Sequence, residues 1–177
     1  MTLIRRAKSN SKAFAKLYDA HIKGVYQYVA WRIQNRQEIE DLTAEIWETV
    51  LKNIHQLQSD NEVVFKAWLY TIARNTLNHF YRDKEKTATV PLEEMHNNIK
   101  TENKTPHEDA ELKENTELLR RLIEKLPQQQ RETLTLHFLS DLKNKEIAAL
   151  QNLSEKTVAS NLSRALATLR SNFKKLQ

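Results

Sequence analysis

Apolar residues recur at helical spacing through almost the whole chain. From about Ser11 to Ile33 the residues Phe14, Leu17, Tyr18, Ile22, Val25, Tyr26, Val29 and Ile33 fall on one stripe. A second stretch begins near Ile39, with Ile39, Leu42, Ile46, Trp47, Val50, Leu51 and Ile54 as its buried face. A third runs from about Val64 to Lys84, with Phe65, Trp68, Leu69, Ile72, Leu77 and Phe80 inward. Near Leu112 the pattern resumes, with Leu118, Leu119, Leu122, Ile123 and Leu126 on one face. A spacing of three and four residues puts side chains on one side of a helix and cannot serve a strand. Only one glycine and three prolines occur in 177 residues, so the usual turn residues of β proteins are missing. The expectation is an all-α chain.

Two breaks divide it. The run Gln56 to Glu62 is polar and predicts a loop. Residues 87 to about 112 hold few apolar side chains and no sustained period, with Pro91 and Pro106 as punctuation, and predict a partly disordered linker. The expected organisation is two small helical domains, 1–86 and 112–177, joined by a flexible linker over 87–111. Charge follows the same division. Residues 1–86 carry 14 Lys and Arg against 10 Asp and Glu, residues 87–118 carry 3 against 8, and residues 119–177 carry 11 against 5. Two basic helical blocks flank an acidic segment. Such blocks are either solvated surface or contacts with nucleic acid.

The last fifty residues favour the second reading. A helix running to Leu139 breaks at Ser140-Asp141. A short helix then spans Lys145 to Leu150, a turn follows at Gln151-Asn152-Leu153-Ser154, and another helix enters at Ser154. That is helix-turn-helix spacing, which offers one helix to a DNA major groove. Ser154 suits an N-cap. Val158, Leu162, Ala165, Leu166, Leu169 and Phe173 form the inward stripe, leaving Lys156, Thr157, Ser160, Asn161 and Arg164 outward to hold phosphates or read base edges.

Along the third stretch, Arg74, Asn75, His79, Arg82, Lys84 and Lys86 supply the basic and polar groups that a strand of unpaired DNA requires. Asn75 can pair twice with an adenine edge. Phe65 and Trp68 fit the core better than a stacking platform. The second stretch has an acidic face, with Glu40, Asp41, Glu45 and Glu48. Carboxylates repel phosphates, so this face points away from DNA. It is either plain surface charge or a contact for a basic protein.

Other classes find no support. There is no cysteine, and His21, His55, His79, His96, His107 and His137 show no ligand spacing. No nucleophile–base arrangement or glycine-rich phosphate loop occurs, so no catalytic residue, metal or cofactor is expected. No stretch reaches 18 apolar residues, and Met1 to Arg6 contains no apolar core of a signal peptide. The expectation is a cytoplasmic, non-enzymatic protein without membrane insertion.

Four segments together resemble the extracytoplasmic-function (ECF) sigma factors of the bacterial sigma-70 family. Phe14-Ala15-Lys16-Leu17-Tyr18 is similar to the opening of region 2, and Glu40 through Trp47 to its polymerase-binding helix. Phe65 through Asn75 resembles the −10 recognition helix. Leu126-Pro127, Glu146-Ile147-Ala148, Thr157-Val158, Arg164-Ala165 and Leu169-Arg170 resemble region 4. The resemblance implies an alternative sigma factor that binds core RNA polymerase and directs initiation at specific promoters. Asp41, Glu45, Trp47 and Glu48 would then meet the β′ clamp helices, with the β subunit as a further polymerase contact. Trp47 fits a core ring equally well. The loop Gln58, Ser59, Asp60 and Asn61 would capture a flipped base, and the two basic faces would meet the −10 and −35 elements of promoter DNA. An anti-sigma protein would be a further partner. The linker would mimic RNA in a basic channel or serve as a plain tether. Primary sigma factors carry an aromatic pair on the −10 helix where this chain has Thr71 and Ile72. The competing reading is a free-standing helix-turn-helix transcriptional regulator.

Family positions also depart from pattern. Asp141 and Asn152 stand where glycine is common, and Asn suits a left-handed turn better than Asp. Lys143 stands where a capping serine is usual, which would move that helix start to Asn144. Ala44 and His79 replace a frequent Gln and Asp. Ala159 and Asn161 stand where the recognition helix often has Lys and Arg. Two promoter elements about one and a half DNA turns apart lie roughly 50–55 Å from each other. A flexible linker of the expected length has an r.m.s. span of roughly 30 Å and a limit of about 90 Å. Two such heads need a scaffold to hold that gap.

Overall fold

Asparagine or serine side chains cap the start of four of the helices. The computed structural model describes residues 2–87 and 106–175, with side chains described over 2–86 and from 115 onward in the second part. Helix α1 spans Leu3–Ala7 and α2 spans Ser11–Ala30, the latter capped by Asn10, whose Oδ1 accepts from the Ala13 N–H at 3.0 Å. Asn35 caps α3 (Arg36–Asn53) in the same way. After one 3-10 turn over Ile54–Gln56, the chain passes through a short loop into α4 (Glu62–Thr87). Helix α4 starts at Glu62 because Asn61 Oδ1 accepts from the Val63 N–H at 2.8 Å.

The second part holds α5 (Pro106–Glu124), α6 (Gln128–Phe138), α7 (Asn144–Gln151) and α8 (Glu155–Lys174). Among the described residues there is no strand. Helix α5 begins at Pro106, inside the segment expected to be linker; proline at the first helical position loses nothing, because its missing N–H would have no partner there. The rest of the expected linker, 88–105, lies outside the described residues.

Both turns of the helix-turn-helix region use the left-handed backbone. Asn152 closes α7 at φ 54, and the Leu153 N–H reaches back to the Ala148 carbonyl at 2.9 Å, the Schellman pattern. Asp141 adopts φ 52 despite being the less suited residue, and the Leu142 N–H bonds the Leu136 carbonyl at 3.2 Å. Leu142 is thereby buried. Helix α7 starts at Asn144, as the lysine at 143 implied, and Glu146 compensates for the missing serine by accepting from the Lys143 N–H at 2.7 Å. Ser154 caps α8 through the Thr157 N–H.

Helices α2, α3 and α4 surround a core of Val25, Tyr28, Val29, Ile46, Val50, Phe65, Leu69 and Leu77, and α1 closes one end through Ile4 and Ala7. Five residues expected inward are instead open to solvent: Leu51 is 55% exposed, Phe173 44%, Leu119 41%, and Tyr18 and Tyr26 37% each.

The sequence did not foretell that the two parts share one buried cluster. Leu136, Leu142, Ile147, Ala148, Leu150 and Val158 of α6–α8 join the core of α2–α4. A smaller cluster of Ile123, Leu126, Leu134 and Ala165 packs against Trp31. Polar contacts cross the same boundary. Tyr28 Oη donates to Glu132 at 2.9 Å, and Arg32 Nη2 reaches the other oxygen of Glu132 at 2.9 Å while its guanidinium lies 3.8 Å over the Tyr28 ring. Arg120 Nη2 donates to the Ala30 carbonyl at 3.4 Å.

Candidate nucleic-acid and protein interfaces

At 100° per residue, Arg74, Asn75, His79, Arg82 and Lys86 fall within roughly 140° of α4's circumference. All five are exposed. Asn78 lies on the same arc, is exposed, and was missed by the sequence reading; its place one turn after Asn75 was the available signal. Lys84 does not belong to this face. It lies on the far side of α4, where its Nζ is 2.8 Å from Glu38 of α3 and 4.7 Å from the Phe80 ring centroid. Its ammonium ties α4 to α3, so its assignment to the DNA contacts is corrected. Phe65 is buried and Trp68 partly so, packed on the core.

The loop before α4 is anchored by α1. Lys8 Nζ donates to Asp60 Oδ1 at 3.1 Å and to the Leu57 carbonyl at 2.6 Å. Ser59 Oγ accepts from the Asn61 N–H, and Asn61 itself caps α4. Gln58 and Asn61 are exposed, while Ser59 and Asp60 are half-buried. The loop thus has a fixed shape set by its own polar side chains. It borders a half-open cleft of about 980 Å³ between the two parts, lined among others by Leu17, His21, Gly24, Asn61, Lys66 and Phe138. Burial in that cleft, with Lys66 adjacent, holds the His21 imidazole below its ordinary pKa.

On α8, Lys156, Thr157, Ser160 and Arg164 share one arc; Lys156, Thr157 and Arg164 are exposed and Ser160 is half-buried. Asn161 departs from expectation. It sits at the margin of that arc, next to Ala165, and is only 6% exposed. Its Nδ2 has no hydrogen-bond partner among the described residues. The arc available for DNA is therefore narrower than the sequence suggested, and Asn161 is not part of the outward face.

On α3, Asp41, Glu45 and Glu48 form an exposed stripe along one ridge. Asp41 accepts from Gln37 Nε2 at 2.9 Å, and Glu48 from Lys52 Nζ at 2.7 Å, which holds the Glu48 carboxyl below its ordinary pKa. The exposed Leu51 flanks the stripe and adds an apolar element to it. Trp47 points elsewhere. At 5% exposure it packs edge-on against Tyr18 (4.8 Å between centroids) and Phe14 (6.2 Å). It is a core ring, and its assignment to the contact surface is corrected. Among the described residues no group of His, Cys, Asp or Glu could hold a metal ion, and no helix is long and apolar enough to cross a membrane.

A helical bundle with an exposed polar stripe on α4 is thus followed by a helix-turn-helix unit with a second such stripe on α8. Residues 17–87 match the family described as Sigma-70 region 2, and residues 116–169 match Sigma-70, region 4. The ECF RNA polymerase sigma factor BldN of Streptomyces coelicolor is 31% identical over 96% of this chain, which spans 64% of the length of BldN. The ECF RNA polymerase sigma factor EcfG of Rhodopseudomonas palustris is also 31% identical, over 76% of this chain and 71% of its own length. Among solved structures, CnrH in complex with the cytosolic domain of CnrY shares the fold, with a TM-score of 0.68 at 20% identity, covering 98% of this chain and 96% of that one. The chain belongs to the sigma-70 family, in its extracytoplasmic-function group.

Proposed function

We propose that this sigma factor divides initiation between its two halves. Residues 1–86 dock on core RNA polymerase and read and melt the −10 element; residues 112–177 read the −35 element. The observation that carries this reading is the pair of exposed polar arcs on α4 and α8, one in each family-matched region. Arg74, Asn75, His79, Arg82 and Lys86, with Asn78 added, track and read the opened −10 strand, while the Gln58–Asn61 loop borders the cleft that takes a flipped base. Lys156, Thr157, Ser160 and Arg164 enter the −35 major groove. The Asp41–Glu45–Glu48 stripe meets a basic surface of the polymerase, the β′ clamp helices in the family's pattern, with Leu51 as its apolar neighbour. The β subunit is a second proposed polymerase contact, an anti-sigma protein is a proposed regulator, and the place of action is the cytoplasm. The match of residues 17–87 to region 2 favours this reading over a free-standing helix-turn-helix regulator, which has no need of such a domain.

Run-off transcription with core polymerase on a library of genomic fragments tests the reading. Arg164→Ala is expected to lower specific transcripts about tenfold while leaving the fold intact, since the residue is exposed and a phosphate or base contact is worth roughly 1–3 kcal/mol. Undiminished transcripts from a folded variant would remove Arg164 from the −35 contact. Asp41→Lys is expected to reduce retention of the chain on immobilised core polymerase about tenfold, with steep salt dependence and unchanged melting. Equal retention would reassign the stripe to ordinary surface.

A further inference from the structure

Helix α1 is only five residues long, yet it is built firmly into the fold. Thr2 Oγ1 accepts from the Arg5 N–H at 3.3 Å, and Ile4 and Ala7 are buried. Three residues, Lys8 to Asn10, separate it from α2, and Asn10 is already the cap of α2. The Lys8 backbone is therefore held between two helices, and its side chain leaves from a fixed point. Its ammonium crosses to a loop 49 and 52 residues further on. There it donates to the Leu57 carbonyl at 2.6 Å and to Asp60 Oδ1 at 3.1 Å.

Those two acceptors stand on either side of Gln58 and Ser59. Leu57 is buried, and its N–H bonds the Ile54 carbonyl at 3.2 Å. Asn61 caps α4. Between these anchors Gln58, Ser59 and Asp60 belong to no helix or strand. One cation bonded at both ends fixes a span that the backbone alone would leave loose. Arg5 is no substitute. Its Nε is 3.9 Å from Asp60 Oδ2 and its side chain is 64% exposed, a geometry that contributes little. The Lys8 side chain is 22% exposed, so water screens its bonds less.

The loop's internal bonds decide which side chain is left for a ligand. Ser59 Oγ accepts from the Asn61 N–H, Asp60 takes the ammonium, and Asn61 Oδ1 accepts from the Val63 N–H. Gln58 is exposed, and its amide offers a donor and an acceptor together. Ordering a loose loop at the moment of capture would cost affinity, and a loop already in shape avoids that cost.

Resting on the base-capture assignment above, we propose that Lys8 is a positioning residue for that loop. It makes no contact with DNA itself; it holds Gln58 where the flipped base arrives. Helix α1 then serves promoter opening through one ammonium, besides closing one end of the core.

The test uses the full chain with core polymerase. The probe is fork-junction DNA from a promoter recovered in the run-off library, with its −10 strand unpaired. An abasic site is placed at each −10 position in turn. The wild-type chain is expected to lose about tenfold in affinity at the captured base, and Gln58→Ala to lose about as much on the intact fork. Lys8→Met, which keeps the stem and removes the ammonium, should bind the intact fork about tenfold less well. The abasic site at the captured position should then cost it no more than about twofold, because that contact is already lost. Lys8→Arg should restore both properties. Lys8→Met combined with Asp60→Ala should lose no more than either change alone, and retention on core polymerase should be unchanged throughout. Should Lys8→Met fail to fold, Asp60→Ala carries the same comparison from the loop side of the tie. Losses that add would overturn the proposal. So would a salt slope lower by about one in Lys8→Met, which would make Lys8 a phosphate contact. A wild-type chain indifferent to every abasic position would take base capture away from the loop, and the proposal with it. A sensitive wild type that Lys8→Met matches at every position would overturn the role of Lys8 alone.

Discussion

Asn75→Ala is expected to cut run-off transcription from a cognate promoter by one to two orders of magnitude. The side chain is exposed on the α4 arc, between Arg74 and Asn78 and one turn before His79. Its amide presents a donor and an acceptor together, the pairing that an adenine edge requires. Such a bidentate contact is worth roughly 1–3 kcal/mol, and each 1.4 kcal/mol is a factor of ten. Nothing in the core depends on it, so the melting temperature should not move; exposed positions away from caps and cores change stability by about 0.5 kcal/mol or less. The test is transcription set against a thermal melt of the same preparation. Full transcription from a folded Asn75→Ala chain would take the −10 contact away from this arc. Loss of melting temperature together with transcription would show that the residue supports the fold instead.

The helices and the helix-turn-helix were legible because their signals are local: apolar spacing, the Ser154 cap and a turn-tolerant Asn152 depend on neighbours in sequence. The site residues were legible to the extent that a helical arc is. Arg74, Asn75, His79, Arg82 and Lys86 share an arc and stand exposed, whereas Lys84, grouped with them for its charge, is on the other side and binds Glu38. Asn161 was read as outward for its polarity, yet it sits where the arc meets Ala165 and turns under. In both cases residue type was allowed to outweigh angle. The docking of the halves was not legible. Its signature, a lone glycine within a helix, was visible only as scarcity, because the reason for it lies on Tyr70 and Ser140, 46 and 116 residues away. Contacts of that range leave no periodicity.

Trp47→Ala should be among the most damaging single changes to stability, costing about 3–5 kcal/mol, the usual range for removing a large buried ring. For a chain of this size each kcal/mol lowers the melting temperature by roughly 2–4 °C, so the expected fall is on the order of 10 °C. The ring lies between α3 and α2, on Phe14 and Tyr18, and its loss would free α3 to shift. Polymerase retention should then fall as well, which by itself cannot distinguish a supporting ring from a contact. Trp47→Phe can. The Trp47 Nε1 is buried and has no hydrogen-bond partner among the described residues. Phenylalanine removes that unpaired donor, and the gain offsets part of the cost of the smaller ring. If Trp47 acts only by holding the Asp41–Glu45–Glu48 ridge in place, Trp47→Phe should retain polymerase as the parent chain does, while Asp41→Lys loses retention with no change in melting. If polymerase touches the indole, Trp47→Phe should lose retention at an unchanged melting temperature, and the tryptophan would have to leave the core on binding.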